Sequence, residues 1–205
     1  MEPFTRLTSV AASLPAADID TDIIFPARFL LITAKAGLGR YAFYEWRYQP
    51  DGAPRPEFVL NQPAFAGARI LIAGPNFGCG SSREQAPWAL HDLGIRCVIA
   101  PSFGEIFFSN CFRNGMLPIV AAEADIVRLQ AETQSGAQLS VDLATCQIVS
   151  EDGQALSFEI DPWRRDALLN GWDEVAVILN SNMTAVARFE AGQRARMAWL
   201  YAGEQ

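Results

Sequence analysis

The chain has 205 residues, 50% of them hydrophobic and 19% charged, which is typical of a globular protein with a sizeable core. Its formal net charge of −7 argues against general binding to nucleic acid, because neutralising phosphates requires a basic surface. No apolar run approaches the roughly 18 residues of a membrane span, and no secretory signal is recognisable. The four irregularly spaced cysteines then indicate reduced thiols, and we expect a cytoplasmic protein with no membrane contact.

The N-terminal part of the chain combines one regular segment with a long irregular one. Residues 6–14, RLTSVAASL, predict a β-strand, and residues 18–30, DIDTDIIFPARFL, follow after a turn. Residues 31–56 mix glycine, aromatic residues, arginine and prolines. We expect this stretch to be a long, partly helical and mobile loop, and such loops are often functional.

The middle of the chain alternates apolar strands with helices, the first two of which end at glycine. The predicted strands are RILIAG (69–74), RCVIAPS (96–102) and LPIVAA (117–122). The predicted helices are SSREQAPWALHDLG (81–94), FGEIFFSNCFRNG (103–115) and EADIVRLQAET (123–133). This alternation predicts a mainly parallel sheet covered by helices.

The C-terminal part changes to a period of two and then becomes helical. Residues 137–150, the turn EDGQ and residues 155–160 predict an antiparallel hairpin. Asp161 and Pro162 predict the N-cap and first position of a helix, and residues 182–200 predict an amphipathic helix. We therefore expect a single α/β domain over residues 1–205.

The stretch GPNFGCGSSREQAP, residues 74–87, links a predicted buried strand to a predicted helix. Free amides at the start of that helix favour an anion, and Gly78 and Gly80 permit close approach of the backbone or positive φ. A Walker loop is excluded because no lysine precedes the hydroxyl residues. The dinucleotide fingerprint fails because Arg83 stands where it requires a third glycine. The nucleophile elbow requires glycine two residues after the serine, where Arg83 follows Ser81 and Glu84 follows Ser82.

Cys79 is a poor candidate for a thiol nucleophile, since His91, the only histidine, lies at the far part of the following helix. Two interpretations of the serines stay open. Ser81 and Ser82 either cap the helix, or one of them acts as a base. For a serine to act as a base, its alkoxide must be stabilised by helix amides and a cation such as Arg83.

Three stretches together resemble the family of 3-isopropylmalate dehydratase small subunits, in the aconitase superfamily: DIDTDIIFPARFL, NFGCGSSREQAPWAL and APSFGEIFFSNCFRNGMLPI. The resemblance extends through nearly the whole chain and includes PWRRDALLNG near its end. It implies an aconitase-like swivelling β/β/α domain that serves as one half of a two-subunit hydro-lyase of leucine biosynthesis. The other half, a large subunit, carries the [4Fe–4S] cluster, and no three cysteines of this chain have the spacing of cluster ligands.

The resemblance also implies roles for individual residues. Ser81 is the alkoxide base, Arg83 clamps a substrate carboxylate and Ser82 supports substrate binding. Arg28 is a second arginine on the substrate side, with a surface ion pair as the alternative. The supporting anion-binding turn comprises Gly78, Cys79 and Gly80. We expect no metal ligand in this chain, and a calcium loop at the DTD segment is excluded because Ile23 stands where glycine is required.

The substrate follows less directly from the sequence. The loop at about 31–56 resembles the family's substrate-recognition loop, and its apolar residues suit an isopropyl group. The family usually has histidine after the Arg-Glu pair, whereas this chain has Gln85, which cannot titrate near neutral pH. A related hydro-lyase acting on methylmalate or citraconate, dimethylmalate or homoaconitate is the alternative, and a non-catalytic carboxylate-binding module is a third. Without its partner the chain is expected to expose its cleft surface and to self-associate.

Overall fold

Seven β-strands form one mixed sheet in the computed structural model, which describes residues 1–202. The strands are β1 (Arg6–Leu14), β2 (Ile70–Ala73), β3 (Cys97–Ala100), β4 (Leu117–Val120), β5 (Gln138–Asp142), β6 (Gln147–Ser150) and β7 (Ala155–Ser157). The helices are α1 (Thr21–Ile24), α2 (Tyr44–Arg47), α3 (Gln85–Asp92), α4 (Glu105–Arg113), α5 (Glu123–Glu132), α6 (Pro162–Asn170) and α7 (Glu174–Arg196). Short 3-10 turns lie at Ala27–Phe29, Leu38–Tyr41, Val59–Asn61, Pro63–Phe65 and Ala198–Tyr201.

The sheet has a parallel half and an antiparallel half that share β1. The strand order is β4-β3-β2-β1-β5-β6-β7. Strands β1 to β4 pair in parallel, whereas β5, β6 and β7 extend the sheet from the other side of β1 in antiparallel fashion. The predicted parallel core with covering helices is therefore confirmed. As parallel strands require, crossover segments that contain helices connect β2, β3 and β4.

Two hydrophobic clusters pack around the sheet. Alternate residues of β2 belong to different clusters, since Leu71 and Ala73 join one and Ile70 and Ile72 join the other. The first cluster includes α3 and the segment that follows α1, and the second includes α5 and α6. All four side chains of β2 are fully buried, so β2 fixes the start of the stretch that follows it.

Several element boundaries differ from the prediction. Helix α3 begins at Gln85, four residues after the predicted start, because Glu84 is its N-cap and no side chain caps it. The segment 137–150 contains two strands, β5 and β6, because the chain turns at residues 143–146, where Cys146 has a φ of +53°. The antiparallel region is thus a three-stranded meander. The predicted cap at Asp161 is confirmed, since its side chain accepts hydrogen bonds from Trp163 N and Arg164 N.

The chain divides into two compact units, the first spanning Met1–Gly171 and the second beginning at Trp172. In the second unit, α7 begins at Glu174 rather than at residue 182 because Asp173 caps it and accepts from Ala176 N. Leu200 lies beyond that helix, in a 3-10 turn. That residues 1–205 act as one domain stays a prediction. Over residues 1–202, no helix is long and apolar enough to cross a membrane.

Candidate active site

The glycine-rich turn lies between β2 and α3 and is held by the segment before α1. Gly78 N donates to Ile19 O at 2.7 Å, and Thr21 N donates to Cys79 O at 2.9 Å. The Thr21 hydroxyl donates to the carbonyl of Ser81 at 2.9 Å. Two stretches that are about 60 residues apart in sequence therefore form one structural unit.

The first turn of α4 lies directly against the same turn. Gly104 N donates to Phe77 O at 2.9 Å, and a Cβ on Gly104 would lie 2.9 Å from Cys79 Cα. Gly78 has a φ of +73°, and a Cβ on it would lie 2.5 Å from Cδ1 of the Phe107 ring. Gly78 therefore has the positive φ that the sequence predicts, and the group that lies close to its backbone belongs to α4.

Neither serine hydroxyl caps the helix. Ser81 and Ser82 are exposed, and within residues 1–202 their hydroxyl groups form no hydrogen bond. The capping interpretation is therefore wrong, because α3 begins beyond their reach at Gln85. The backbone N–H groups of residues 80–84 also donate no hydrogen bond within the described part of the chain. The predicted anion-binding amides thus lie in the loop before α3, and not in its first turn.

Arg83 is oriented by an ion pair that uses only one edge of its guanidinium. Nη1 pairs with Asp22 Oδ1, and Nη2 donates to Asp22 Oδ2 at 2.8 Å. Nη1 also donates to Phe25 O at 3.4 Å. Of the five N–H donors of arginine, Nε–H and the second N–H of Nη2 form no hydrogen bond with residues 1–202. These two donors lie on one side of the guanidinium and match a carboxylate.

A cavity of about 150 Å³ joins these groups. It is lined by Thr21, Gly78, Gly80, Ser81, Arg83, Gly104, Glu105, Ile106 and Phe107. The structure therefore brings together the predicted residues Ser81, Arg83, Gly78 and Gly80. Ser82 and Cys79 neighbour the cavity in sequence but are not among its lining residues.

Arg28 lies in a different environment. Its guanidinium pairs with Glu45 and lies over the rings of Phe29 and Tyr44, 4.6 Å and 5.0 Å from their centroids. This is the surface ion pair that the sequence left as the alternative. The assignment of Arg28 to the substrate stays a prediction.

The properties of Cys79 and His91 agree with the argument against a cysteine hydrolase. Partial burial, with the charges of Asp18 and Asp20, raises the pKa of the Cys79 thiol above its ordinary value. A thiol with a raised pKa is a poor source of thiolate at neutral pH. Burial lowers the pKa of His91, which lines a separate cavity of about 340 Å³ together with Trp88 and Asp92.

The predicted loop at 31–56 has an exposed tip and a buried base. Leu31 is 93% exposed, whereas Leu38 and Phe43 are fully buried. Asp92, at the end of α3, accepts hydrogen bonds from Gly37 N at 3.1 Å and from Gly39 N at 2.7 Å. The loop is partly helical as predicted, and its mobility stays a prediction.

Sequence reasoning missed the partners that hold the site in place. Asp22 was considered only as part of a calcium-like pattern, yet its carboxylate orients Arg83. Asp20 and Thr21 both act at the N-terminal end of α1, since the Asp20 side chain caps the helix and the Thr21 hydroxyl donates to the carbonyl of Ser81. Gln85 is half-buried at the start of α3. Among residues 1–202, no group of three or more His, Cys, Asp or Glu side chains could hold a metal ion.

Comparison with known proteins identifies what the chain resembles. Residues 1–124 match the family model described as the aconitase C-terminal domain, and residues 128–162 match the model LeuD_N. The chain is 51% identical over 201 residues to the 3-isopropylmalate dehydratase small subunit of Rhodospirillum centenum, covering 97% of this chain and 98% of the relative. It is 50% identical to the protein of the same name from Paramagnetospirillum magneticum, covering 98% and 100%.

A solved structure supports the same relationship. The crystal structure of 3-isopropylmalate dehydratase from Methanocaldococcus jannaschii superposes with a TM-score of 0.66 and 26% sequence identity. The match covers 90% of this chain and 99% of the other. The shared fold includes the mixed sheet that carries the glycine-rich turn.

Proposed function

Because the chain belongs to the family of 3-isopropylmalate dehydratase small subunits, which are aconitase-type hydro-lyases, we propose that residues 78–84 supply the base and one carboxylate clamp of that reaction. The reaction interconverts 2-isopropylmalate and 3-isopropylmalate by loss and return of water, in leucine biosynthesis. Ser81 is the base, Arg83 is the clamp and Ser82 supports substrate binding.

The observation that carries this proposal is the free edge of Arg83 beside a free hydroxyl. Asp22 occupies the Nη1/Nη2 edge, so the Nε/Nη2 edge can hold a carboxylate in a two-pronged geometry. Ser81 lines the same cavity, and its hydroxyl group forms no hydrogen bond within residues 1–202. A substrate carboxylate on Arg83 would hold the adjacent carbon near the Ser81 oxygen.

Ser81 lies beside hydrogen-bond donors that can stabilise negative charge on its oxygen as it acts as the base. The unpaired N–H groups of residues 80–84 and the nearby guanidinium stabilise negative charge on the Ser81 oxygen. The Ser81 oxygen then accepts the carbon-bound proton, and the hydroxyl group leaves from the neighbouring carbon. Returning the proton and the hydroxyl to exchanged positions completes the isomerisation.

The remaining chemistry belongs to a partner. Within residues 1–202, the side chains that could bind iron do not come together as a site for an iron–sulfur cluster. We therefore assign the [4Fe–4S] cluster to the large subunit, where it would bind the substrate's hydroxyl group and assist its departure. The four free cysteines fit the reducing cytoplasm, where we place the enzyme.

The loop at 31–56 and the partner each take a part in substrate recognition. The exposed tip, residues 31–37, stands on a base that is tied to α3 by Asp92. Gln85 follows Arg83 and Glu84 directly, so its amide takes the position of the family's usual histidine and would orient neighbours without titrating.

Reconstitution with a cluster-loaded large subunit tests the proposal. Ser81→Ala should lower kcat by at least about 100-fold, the range expected for loss of a general base. Ser82→Ala is the matched control, since it is adjacent and equally free of structural bonds, and it should cost about tenfold or less. Unchanged turnover by Ser81→Ala would refute the assignment of the base. Side-by-side turnover of isopropylmalate, methylmalate, dimethylmalate and homoaconitate separates the alternative substrates.

A further inference from the structure

The first turn of α4 presents two side chains to the candidate active site. Glu105 and Ile106 line the same cavity as Ser81 and Arg83. Ile106 is 50% exposed, which is unusual for a large apolar residue in the first turn of a helix that packs into the core. These two residues are thus candidates for contact with a substrate.

Their position is fixed by backbone contact. Gly104, directly before Glu105, packs against the carbonyl of Gly78 so closely that no Cβ could be accommodated there. Phe107, directly after Ile106, is buried against Gly78. The start of α4 therefore cannot move away from the turn without breaking packing on both sides of Glu105 and Ile106.

The charges around the cavity are unbalanced. Arg83 supplies one positive charge, which Asp22 already neutralises. The carboxylate of Glu105 is exposed and forms no hydrogen bond or ion pair with residues 1–202. This side of the site has one guanidinium and two carboxylates, so it can bind one substrate carboxylate and disfavours a further one.

We propose that Glu105 and Ile106 determine substrate class: they accept an uncharged alkyl group and reject a third carboxylate. This inference rests on the proposed function and extends it, because it assigns the choice between dicarboxylates and tricarboxylates to named residues on α4. Glu105 repels a carboxylate at the position of the alkyl group, and Ile106 offers that group an apolar contact. At a separation of about 6 Å in a solvated cleft, the repulsion corresponds to about three- to tenfold in affinity.

The test compares two unreactive diacid and triacid analogues on the complex of this chain with its large subunit. 2-Isopropylsuccinate carries the alkyl group, and tricarballylate carries a carboxymethyl group in its place. Glu105→Gln should lower the ratio of the Kd for tricarballylate to the Kd for 2-isopropylsuccinate by about three- to tenfold, and added salt should shrink this effect. Ile106→Ala should weaken 2-isopropylsuccinate about tenfold while leaving tricarballylate nearly unchanged.

Glu123→Gln is the matched control, because Glu123 is also an exposed first residue of a helix, here α5. It removes the same helix-dipole interaction at a position outside the cavity and should leave the ratio unchanged. An unchanged ratio in Glu105→Gln, or an equal change in Glu123→Gln, would overturn the inference. Failure of the proposed function has a different signature: the wild-type complex would turn over none of the alkylmalates, whatever the ratio of the two binding constants.

Discussion

The contact between Gly78 and α4 gives a sharp prediction for the substitution Gly78→Ala. Two costs act at this position. The φ of +73° is strained for any residue with a Cβ, at about 1–2 kcal/mol. The new Cβ would also lie 2.5 Å from Phe107 Cδ1, and Phe107 is only 2% exposed and belongs to the first hydrophobic cluster, so displacing its ring disturbs the buried residues around it. Overpacking of this kind costs about 1–3 kcal/mol.

Gly78→Ala should therefore lower the free energy of unfolding by about 2–5 kcal/mol. Gly80→Ala is the matched control, because Gly80 has a similar φ of +92° but its nearest neighbours would lie 3.5 Å from a Cβ. That substitution carries the backbone strain alone and should cost about 1–2 kcal/mol. Urea unfolding followed by tryptophan fluorescence measures both values, and an unchanged slope with urea would show that the difference between the variants is one of stability.

A double substitution separates the two causes. Phe107→Ala removes the ring that obstructs the new Cβ, so Gly78→Ala should cost less in that background than in the wild type, by about 1 kcal/mol or more. Equal costs for Gly78→Ala and Gly80→Ala, together with additivity in the double variant, would refute the close approach of α4 to the turn. The fixed position of Glu105 would then lose its support as well.

Two further substitutions probe the carboxylates that hold the fold and the site. Asp22→Asn should lower kcat/KM of the reconstituted enzyme about 10- to 100-fold because Arg83 loses its orientation. It should reduce the free energy of unfolding by only about 1 kcal/mol or less, since Asp22 is half-exposed. Equal kcat/KM in variant and wild type would contradict this prediction. The Thr145 amide, with Arg6, lowers the pKa of Asp142 below its ordinary value of 3.8, so this carboxylate stabilises the fold above pH 3.8 and the stabilisation is lost as the pH falls through the lowered value. Asp142→Asn should therefore destabilise the protein near neutral pH, and the difference from wild type in urea unfolding should disappear in strong acid.

The parallel half of the sheet could be predicted from the sequence because its signals are local. Strands β2, β3 and β4 are short apolar runs, and the helices α3 and α4 that connect them are each followed by a glycine, so the hydrophobic pattern and the helix boundaries agree. The meander was harder to predict. The turn between β5 and β6 contains no glycine and depends on Cys146 at positive φ, a conformation that sequence patterns seldom signal.

The serines and Arg83 were found from residue type and spacing, but the groups that orient them were not. Asp22 lies 61 residues from Arg83 in sequence, and the ion pair forms only when the segment before α1 packs along the turn. The start of α3 was misjudged for a related reason. Ser81 and Ser82 are good capping residues, yet the bond from Thr21 to the carbonyl of Ser81 holds this part of the chain outside the helix.

The size and charge of the cavity favour an enzyme half over a carboxylate-binding module that works alone. Pockets that hold small molecules usually measure about 300–1,000 Å³, and this cavity has only about 150 Å³. The arginine that lines it, Arg83, is already paired with Asp22, and Glu105 adds a negative charge. A dianion could therefore bind to one free edge of the Arg83 guanidinium, but the net charge of these groups would repel it. A module evolved to bind a dicarboxylate would need a second cation. The arrangement is understandable if the second carboxylate and the hydroxyl group are bound by the partner, since this chain then needs to supply only a base, one clamp and the choice of side group.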